Sequence, residues 1–395
     1  MTLPSFSKLP FFEPKHSLVR DKVRDWLEKE PNIDFHDEAD ANAISKKFVI
    51  SQGKAGLLEY LVADPDLPDI SELDVRSICI LREEIAYRSA LADSALVVQG
   101  IATAGIARFG SKKLQEIYLG GTRRGELIPA FALSEPGGGS DVSATKTKAI
   151  KDGDDYILSG TKMWTSNAGV ADFYVVVART GTEKEGAKGL SAFVIDADMK
   201  GFRVGDPIIT SAPHPMAFTH YENVRVPKWR MVGRPGDGFP IAMSTLDIFR
   251  PTVGAACLGI ARRALDETLA WISERELYGR RMADIETVQF KIADMMVNLE
   301  LAALATYRAA WTRDHADGQR TTLEASMAKL VGSEAAFKVV DEAVQLFGGM
   351  GVTRGSVVEH LYRDIRAMRV YEGASEVHRS ILGRAVAKSA KRASS

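Results

Sequence analysis

The order of residue patterns along the chain constrains its fold more strongly than any single motif does. Residues 1–125 carry apolar side chains at helical spacing, as in SLVRDKVRDWLEKE. Residues 126–238 instead contain short β-branched or aromatic stretches, such as DFYVVVART and LSAFVID, separated by Gly, Pro and Asp. Helical spacing returns over residues 239–395. The sequence therefore predicts a mainly α protein with an N-terminal helical domain, a middle β-domain and a C-terminal helical domain.

The separate segments predict more detail. LDVRSICILREEIAYRSALADSALVVQGIATAGIARFG predicts one long helix that is apolar nearly all round over 91–106 and is therefore buried. TKTKAIKDGDDYILSGTKMW predicts two strands around the turn DGDD, within a small antiparallel, barrel-like domain. The last segment predicts long helices near 240–276, 284–313 and 322–347, a shorter one near 356–369 and another after Gly373. Helices of this length are typical of a long-helix bundle.

Composition excludes several classes of function. The formal net charge of the 395 residues is −1, without a block of like charges, which argues against nucleic acid or an anionic membrane as a partner. Cys79 and Cys257 lie in apolar contexts and predict buried thiols in a reducing compartment. The N-terminus lacks a signal-peptide core, and no apolar run approaches the ~20 residues that span a bilayer, so we expect a cytoplasmic protein without membrane insertion.

Familiar cofactor and metal motifs are absent from the sequence. The seven histidines are scattered, and neither HExxH nor CxxC occurs, so no metal site is expected. GGMGVTRG, residues 348–355, resembles a dinucleotide fingerprint but follows a predicted helix in place of a strand. A redox cofactor would need a different kind of site.

Five stretches indicate a ligand site, and each has a structural alternative. AFALSEPGGGSD (130–141) can bring backbone N–H groups close to a ligand or form a β-turn. In GTKMWTSNAG (160–169) the tryptophan can cover a planar ring or lie in the core. RELYGRRMADIETVQFKIADM (275–295) can be an ordinary polar surface, and QLFGGMG (345–351) a helix end. RVYEGASEVHR (369–379) presents either a solvated acid or a base aimed at a substrate.

Taken together and in this order, these stretches resemble the acyl-CoA dehydrogenase family of flavoproteins, over about residues 15–388. ALSEPGGGSD resembles its first signature, TKMWTSNAG its flavin-stacking segment and QLFGGMG…VYEG its C-terminal signature. The resemblance implies a fold of helical, β and helical domains and FAD as cofactor. It also implies oxidation of an acyl-CoA thioester, with electrons passing to an electron-transferring flavoprotein.

The resemblance also implies the cofactor contacts. The first flavin loop matches Phe131, Ala132, Leu133, Ser134, Gly139 and Ser140, and the segment against the isoalloxazine ring matches Trp164, Thr165 and Ser166. Ser166 stands where the family often has threonine, so a hydroxyl near flavin N5 is retained. The pyrophosphate and adenosine contacts, formed across a subunit interface, match Arg275, Tyr278, Gln345, Gly348 and Gly349. Ala374 and Glu376 stand where many relatives have threonine and glutamine beside FAD. At least a dimer is implied, and the family is commonly tetrameric.

Glu372 matches the catalytic base of the family. It would take the α-proton while a hydride leaves the β-carbon for flavin N5, giving the trans-2-enoyl-CoA. Contacts with the substrate and its CoA part are implied for Ser140, Asp247, Arg250, Tyr371 and Gly373. Some relatives carry the base on the long helix just before the arginine matching Arg250. This chain has Phe249 there, which cannot take a proton.

One segment departs clearly from the family pattern. TSAPHPMAF (210–218) replaces the glycine, arginine and serine residues that relatives usually have in this strand region. His214, between two prolines, is either a feature at the edge of a pocket or part of a structural turn, and the turn is favoured.

Two other functions are compatible with such a fold. An acyl-CoA oxidase would use O₂ to reoxidise the flavin, and oxidases of that type usually carry extra C-terminal sequence. A non-enzymatic, flavin-loaded relative would bind nucleic acid and would need a basic face, which the net charge of −1 does not favour.

Overall fold

The computed structural model describes residues 9–33, 41–67 and 72–393, and helices dominate both ends of this part of the chain. The helices are α1 (Pro14–Lys29), α2 (Ala41–Lys54), α3 (Val75–Arg88), α4 (Ala90–Phe109), α5 (Lys112–Arg123), α6 (Gly238–Glu274), α7 (Glu286–Asp314), α8 (Thr322–Phe347), α9 (Val357–Met368) and α10 (Ser375–Ala393). The five helices predicted for the C-terminal segment correspond to α6–α10. The order of helical, β and helical segments is confirmed.

Strands occupy the middle of the chain. They are β1 (Pro129–Ala132), β2 (Lys148–Asp152), β3 (Asp155–Ser166), β4 (Phe173–Arg179), β5 (Leu190–Asp196), β6 (Phe202–Pro207), β7 (Met216–Pro227) and β8 (Met231–Val232), with a small hairpin of β9 (Glu276–Leu277) and β10 (Arg280–Arg281) after α6. The sheet has the order β6-β7-β3-β2-β4-β5-β8, and β1 pairs with β4. Most pairs are antiparallel, as predicted, but β1 and β2 both run parallel to β4.

The prediction of one long helix over the LDVRS…ARFG stretch is wrong, because the chain breaks it at Ser89. The backbone N–H of Ser89 still bonds to the carbonyl of Ile85, which ends α3. Its side-chain hydroxyl then accepts from the N–H of Ala92 at 3.2 Å, which caps the start of α4. A single serine therefore turns one apolar helical pattern into two helices.

Helix α4 also corrects the expectation that no apolar run is long enough to span a bilayer. Among the described residues, Ala90–Phe109 meets that test by length and composition alone. Within the protein, however, 83% of its apolar window is buried. The prediction that 91–106 forms a buried helix is therefore confirmed, and the helix has the burial of a core element.

The chain forms two compact units, which are described separately. The first consists of the described parts of Met1–Lys29, Val75–Asp93 and Asp247–Ser395. Its long helices pack closely at glycines: a Cβ on Gly332 of α8 would lie 2.7 Å from the Cα of Gly254 on α6. A Cβ on Gly259 of α6 would lie 2.1 Å from the carbonyl oxygen of Glu83 on α3. These close approaches hold α3, α6 and α8 in fixed register.

The second unit contains the described parts of Glu30–Asp74 and Ser94–Leu246. Strand β4 is buried at every position, and β5 is buried along nearly all of its length. One face of these strands, including Phe173, Val175 and Val194, packs against Ile106 and Tyr118 of the neighbouring helices. The sheet is thereby fixed at its centre. The predicted boundaries at 125/126 and 238/239 stay predictions.

Candidate active site

Glu372 lies in a tight turn between α9 and α10 with an unusual backbone conformation. Its φ is 52°, which is uncommon for a residue with a side chain, and the following Gly373 has a φ of 104°. A Cβ on Gly373 would lie 3.0 Å from Nε2 of the fully buried His378. Glycine is therefore required at 373 by both its φ and its close neighbour.

Two buried cations hold this turn by its carbonyl groups. Arg250, on α6, donates from Nε to the carbonyl oxygen of Glu372 at 3.1 Å. Lys329, on α8, is fully buried and donates from Nζ to the carbonyl oxygen of Gly373 at 2.7 Å. Consecutive carbonyls are thus clamped from two helices, which fixes the direction of the peptide groups beside the Glu372 carboxylate.

A third cation lies deeper in the same unit. Arg82, on α3, is buried and binds Asp93 of α4 with two hydrogen bonds of 2.8 and 2.6 Å. It also donates to the hydroxyl of Thr252 at 2.9 Å. This bidentate pair is satisfied on both sides, as a buried ion pair must be to be tolerated.

These charges act on Glu372 in opposite directions. Burial raises the pKa of the Glu372 carboxyl above its ordinary value, and Asp93 raises it further, whereas Arg82, Arg250 and Lys329 lower it. The net result is a raised pKa for the Glu372 carboxyl. Oε2 of Glu372 is buried without a hydrogen-bond partner. Because an unpartnered buried carboxylate oxygen is costly to desolvate, the side chain is poised to accept a proton.

The neighbouring basic groups respond to burial in the opposite sense. Burial lowers the pKa of Lys329 to about 8. Burial, with Lys329 and Arg250 nearby, lowers the pKa of His378 to about 3, so its imidazole is neutral at ordinary pH. His378 therefore packs behind the turn without adding a charge.

Asp247 lies one helical turn before Arg250 on α6 and is buried. Its Oδ2 accepts hydrogen bonds from Arg320, at 3.0 and 2.8 Å, and from Thr322 at 2.7 Å. Its Oδ1 lies 3.8 Å from Nη1 of Arg250. The structure thus brings Asp247, Arg250 and Glu372 into one cluster, while their assignment as substrate contacts stays a prediction.

In the second unit, a loop containing three consecutive glycines follows β1. Glu135 and Gly138 exchange backbone hydrogen bonds of 3.0 Å, which closes a tight turn. Gly137 and Gly139 are exposed, and a Cβ on Gly137 would meet nothing within 4 Å. Ser140 is also exposed. The loop therefore presents open backbone, as expected of a segment that approaches a ligand.

A buried ion pair anchors this loop to β3. Lys162 is fully buried; its Nζ lies 2.9 Å from Oε1 of Glu135 and donates to the carbonyl of Leu133, also at 2.9 Å. The next residue, Met163, donates its N–H to the carbonyl of Ser134 at 2.9 Å. The structure therefore brings the predicted loop, 131–140, next to the predicted flavin-stacking segment.

The end of β3 is distorted where the predicted stacking residues lie. Its pairing with β7 shifts register between Lys162 and Thr165. Trp164 has a φ of 60° and an exposed fraction of 49%. Thr165 is buried, and its Oγ1 has no hydrogen-bond partner. The bulge thus turns a large aromatic ring outward, which is opposite to the burial expected of a core tryptophan.

His214 lies between two serine hydroxyls, which the sequence did not indicate. Its Nδ1 is 2.9 Å from Oγ of Ser94, on α4, and its Nε2 is 2.8 Å from Oγ of Ser166, at the end of β3. Burial lowers the pKa of His214 to about 4. His214 does lie in the connection between β6 and β7, as the favoured interpretation had it, but its ring is also bound on both sides.

The remaining predicted cofactor residues lie at the far ends of α6 and α8 and in α10. Trp271 of α6 stacks on Phe347 of α8 with ring centroids 4.8 Å apart, and the Arg275 guanidinium lies 5.8 Å from the Trp271 ring. Tyr278 is 96% exposed with a φ of 52°. Other exposed residues here are Gln345, Gly348, Gly349 and Glu376. The helix ends thus gather Arg275 and the glycine pair on one side of the first unit.

Three residues of this region, Arg82, Asp93 and Lys329, were not predicted from the sequence, nor were the two serine partners of His214. Arg82, Asp93 and Lys329 carry a usable signal, because each is a charge within a strongly apolar helical stretch: CILREEIA, ALADSALVV and SMAKLVG. A charge in such a stretch is buried and therefore needs a partner. His214 carries no comparable signal, since the residues it binds lie far away in the sequence.

These observations fit a flavin cofactor. The second unit supplies an outward-turned tryptophan, an orphaned buried hydroxyl on Thr165 and an open glycine loop. The first unit supplies exposed glycines at 348 and 349, where a Cβ would meet nothing within 4 Å. A planar ring system and a phosphate-bearing tail require such features. The first unit also carries the Glu372 carboxylate, whose Oε2 is buried, so the chain has groups suited to a bound redox cofactor and a group suited to act as a base.

Comparison with known proteins identifies the family. Models of the acyl-CoA dehydrogenase N-terminal, middle and C-terminal domains match residues 13–126, 130–224 and 236–387. The chain is 35% identical over 335 residues to a cyclohexane-1-carbonyl-CoA dehydrogenase of Geobacter metallireducens, covering 84% of this chain and 87% of the relative. The chain belongs to the acyl-CoA dehydrogenase family.

Solved structures agree with this assignment. The butyryl-CoA dehydrogenase of Megasphaera elsdenii is similar with a TM-score of 0.84 at 29% identity, covering 95% of this chain and 98% of the other. A glutaryl-CoA dehydrogenase of Mycobacterium smegmatis in complex with FADH2 is similar with a TM-score of 0.85 at 25% identity, covering 97% of each chain. The protein is thus an oxidoreductase of the acyl-CoA dehydrogenase type, and FAD is its cofactor.

Proposed function

We propose that this protein removes the α-proton of an acyl-CoA thioester with Glu372 and delivers the β-hydride to flavin N5, giving the trans-2-enoyl-CoA. The observation that carries the proposal is the Glu372 carboxylate itself. It is held on a strained left-handed turn in a half-buried residue, and its Oε2 is buried without a hydrogen-bond partner. Strain of this kind persists only where surrounding contacts impose it, and it is concentrated at functional sites.

The charges around Glu372 support the role of a base. Burial raises the pKa of its carboxyl, which moves the group toward the working pH. The cations Arg82, Arg250 and Lys329 limit this rise, so that the ionised form remains available to accept a proton. Phe249, one residue before Arg250, offers no alternative base on α6.

The two carbonyl clamps support the positioning of the substrate. Arg250 and Lys329 bind the carbonyls of Glu372 and Gly373, so that the peptide groups of the turn keep one orientation. A fixed N–H beside the base can donate to a thioester carbonyl and stabilise the charge that develops as the α-proton leaves. We assign Ser140, Asp247, Arg250, Tyr371 and Gly373 to contacts with the substrate and its CoA part.

Bound FAD would supply the hydride acceptor. In the second unit, the residues that would hold the flavin are Phe131, Ala132, Leu133, Ser134, Gly139, Ser140, Trp164, Thr165 and Ser166. In the first unit, the residues that would hold the pyrophosphate and adenosine are Arg275, Tyr278, Gln345, Gly348, Gly349, Ala374 and Glu376. We further propose an electron-transferring flavoprotein as electron acceptor and a cytoplasmic location, both in line with the sequence.

We also propose that the protein is a homo-oligomer, with a dimer of dimers as the expected form. An apolar stripe on α7 supports this: Phe290, Val297, Leu301 and Leu304 recur on one face of the helix and are 61%, 52%, 54% and 37% exposed. Exposed apolar residues that follow one helix face in this way mark an interaction surface. A second copy of the chain would cover them.

The proposal is tested by mixing the FAD-loaded protein anaerobically with a panel of acyl-CoA thioesters. Short, medium, branched, dicarboxylic, cyclic and aromatic acyl groups are included, and the loss of flavin absorbance is followed. We expect one class to bleach the flavin, and Glu372→Gln to slow bleaching by about 10²–10⁴-fold, the contribution typical of a general base.

Glu267→Gln is the matched control, because Glu267 forms an i,i+4 pair with Arg263 on α6 away from the cluster. It should bleach at the wild-type rate. Bleaching that survives in Glu372→Gln would exclude Glu372 as the base. Rapid reoxidation of the bleached flavin by O₂ alone would favour an oxidase over a dehydrogenase.

A further inference from the structure

The proposed reaction gives no role to His214, which links Ser94 and Ser166 in a chain of polar groups called the serine–histidine relay below. Both ring nitrogens of His214 lie within hydrogen-bond distance of a serine hydroxyl, at 2.9 Å for Ser94 and 2.8 Å for Ser166. Ser166 belongs to the segment assigned above to the flavin, whereas Ser94 lies on α4. The ring therefore connects a hydroxyl at the cofactor site with a hydroxyl in the helical layer of the same unit.

The backbone fixes the position of the ring relative to Ser166. Asn167 donates its N–H to the carbonyl of Pro215, the residue after His214, at 2.9 Å. The side chain of Asn167 donates in turn to the carbonyl of Pro129 at 3.0 Å. Ser166 itself pairs in register with Met216 at the start of β7. Ser166 and His214 are therefore held by adjacent backbone ladders, and neither can move away without breaking them.

The imidazole ring of His214 can hold a single proton on either of its two nitrogens. A neutral imidazole has one N–H donor and one bare nitrogen acceptor, and its two tautomers exchange these roles. Burial lowers the pKa of His214 to about 4, with no neighbouring charge among the causes, so the ring is neutral at ordinary pH. If Nε2 carries the proton, it donates to Ser166 and leaves the Ser166 hydroxyl proton free. If Nδ1 carries it, Nε2 accepts that hydroxyl proton and leaves the oxygen of Ser166 free.

We infer that His214 is a positioning residue that matches the hydrogen-bond polarity of Ser166 to the redox state of the flavin. This rests on the proposed function, in which the Ser166 hydroxyl faces flavin N5. N5 accepts a hydrogen bond in oxidised FAD and carries an N–H in reduced FAD. With oxidised FAD, Nε2 of His214 is protonated and Ser166 donates outward. With reduced FAD, Nδ1 is protonated, donates to Ser94, and Ser166 accepts.

The exchange between these two arrangements conserves the number of protons on the ring and on the serine hydroxyls. On reduction, Nε2 of the half-buried His214 ring gives its proton to water and Nδ1 takes one from water, while the serine hydroxyls rotate and keep their own protons. The relay gains no charge and consumes no reagent. The exchange lets the Ser166 hydroxyl form a hydrogen bond with flavin N5 in both the oxidised and the reduced state. Neither redox state then has an unpaired polar group at N5.

The direct test is the protonation state of the ring, read by NMR on protein labelled with ¹⁵N in histidine. The ring nitrogen shifts distinguish protonated from bare nitrogens, and His214 is identified among seven histidines by the signals lost in His214→Phe. Spectra are taken of the FAD-loaded enzyme, oxidised and then reduced with dithionite. We expect the proton to move from Nε2 to Nδ1 on reduction. The same tautomer in both states would overturn the proposal.

Kinetics give a second readout. His214→Phe keeps an aromatic ring but removes both nitrogens, and we expect the bleaching rate at saturating thioester to fall about tenfold, or about 1.4 kcal/mol, with the KM unchanged. His220→Phe is the matched control, because His220 lies on β7 and also contacts a β3 hydroxyl, Thr161 at 3.2 Å. It should keep the wild-type rate. If both variants are equally slow, the effect is structural and the proposal is wrong.

A milder variant covers the case in which His214→Phe fails to fold. Ser94→Ala leaves His214 and Ser166 in place but removes the acceptor for Nδ1–H. Dithionite reduction of this variant should leave a mixture of tautomers where the wild type has one, and an unchanged tautomer pattern would contradict the relay. Because dithionite needs no thioester, this outcome is separate from the proposed function. A protein that retains no FAD, or that no acyl-CoA bleaches, would instead overturn the proposed function.

Discussion

At the residue scale, charges from four helices of the first unit act on the pKa of Glu372: Arg82 on α3, Asp93 on α4, Arg250 on α6 and Lys329 on α8. VYEG predicts the carboxylate itself, but these four positions are unrelated to that motif. Arg82 and Asp93 could be suspected as buried charges, but only the packing of α3 and α4 shows that they pair and act on Glu372.

Asp93 offers a test of this electrostatic arrangement. The carboxylate of Asp93 raises the pKa of Glu372, so Asp93→Asn should lower that pKa, and the freed charge of Arg82 should add to the effect. A base works only when ionised, so activity falls as pH falls through its pKa. We therefore expect the acid limb of the pH profile of flavin bleaching to move to lower pH in Asp93→Asn.

The control for this experiment is Asp266→Asn. Asp266 accepts a hydrogen bond from the Tyr87 hydroxyl at 2.9 Å in the same unit and is not among the groups that shift Glu372. Its pH profile should match the wild type. An acid limb in Asp93→Asn that stays in place, or moves to higher pH, would contradict the assigned direction.

At the element scale, strand and helix patterns were predictable, whereas their interruptions were not. β2 and β3 follow from β-branched residues around DGDD, and α6–α10 follow from helical spacing. The break at Ser89 and the bulge of β3 depend on single side chains and on partner strands. The parallel pairing of β1 with β4 likewise depends on topology, which local propensity does not encode.

The link between β1, its glycine loop and β3 depends on the buried pair Lys162–Glu135. Glu135 also accepts backbone N–H groups of Lys146 and Thr147 at 2.7 and 2.9 Å. Lys162→Met would leave this carboxylate buried without its cation, at a cost of about 3–5 kcal/mol. We expect the urea midpoint to fall accordingly and bound FAD to be lost on gel filtration.

Two further variants complete this test. The double variant Lys162→Met/Glu135→Gln should recover part of the loss, because it removes the unpaired charge. Lys148→Met, on the exposed side of β2, should leave the free energy of unfolding in urea within about 0.5 kcal/mol of wild type. Equal effects of Lys162→Met and Lys148→Met would show that the buried pair does not anchor the loop.

At the scale of the whole molecule, the apolar stripe of α7 predicts assembly. Leu301→Glu places a charge in the middle of the stripe, and we expect light scattering after gel filtration to show a smaller assembly than wild type. Leu18→Glu is the control, because Leu18 is the one exposed large apolar residue of α1, with an exposed fraction of 70%. A wild-type protein that elutes as a monomer would rule out the oligomer, and an unchanged mass for Leu301→Glu would rule out this face.

Helix α4 has a consequence for the life of the chain before it is folded. By length and composition the helix could cross a membrane, and only the finished fold covers its apolar window. A newly made chain presents this window before the β-domain and the later helices of α6–α10 have been synthesised, and we expect it to be prone to aggregation at that stage. A heated chain exposes it again, together with the same window on every other copy. Heat inactivation of this protein is therefore expected to end in aggregates. Its resistance to heat is then set by the rate of unfolding and not by the equilibrium between folded and unfolded chains.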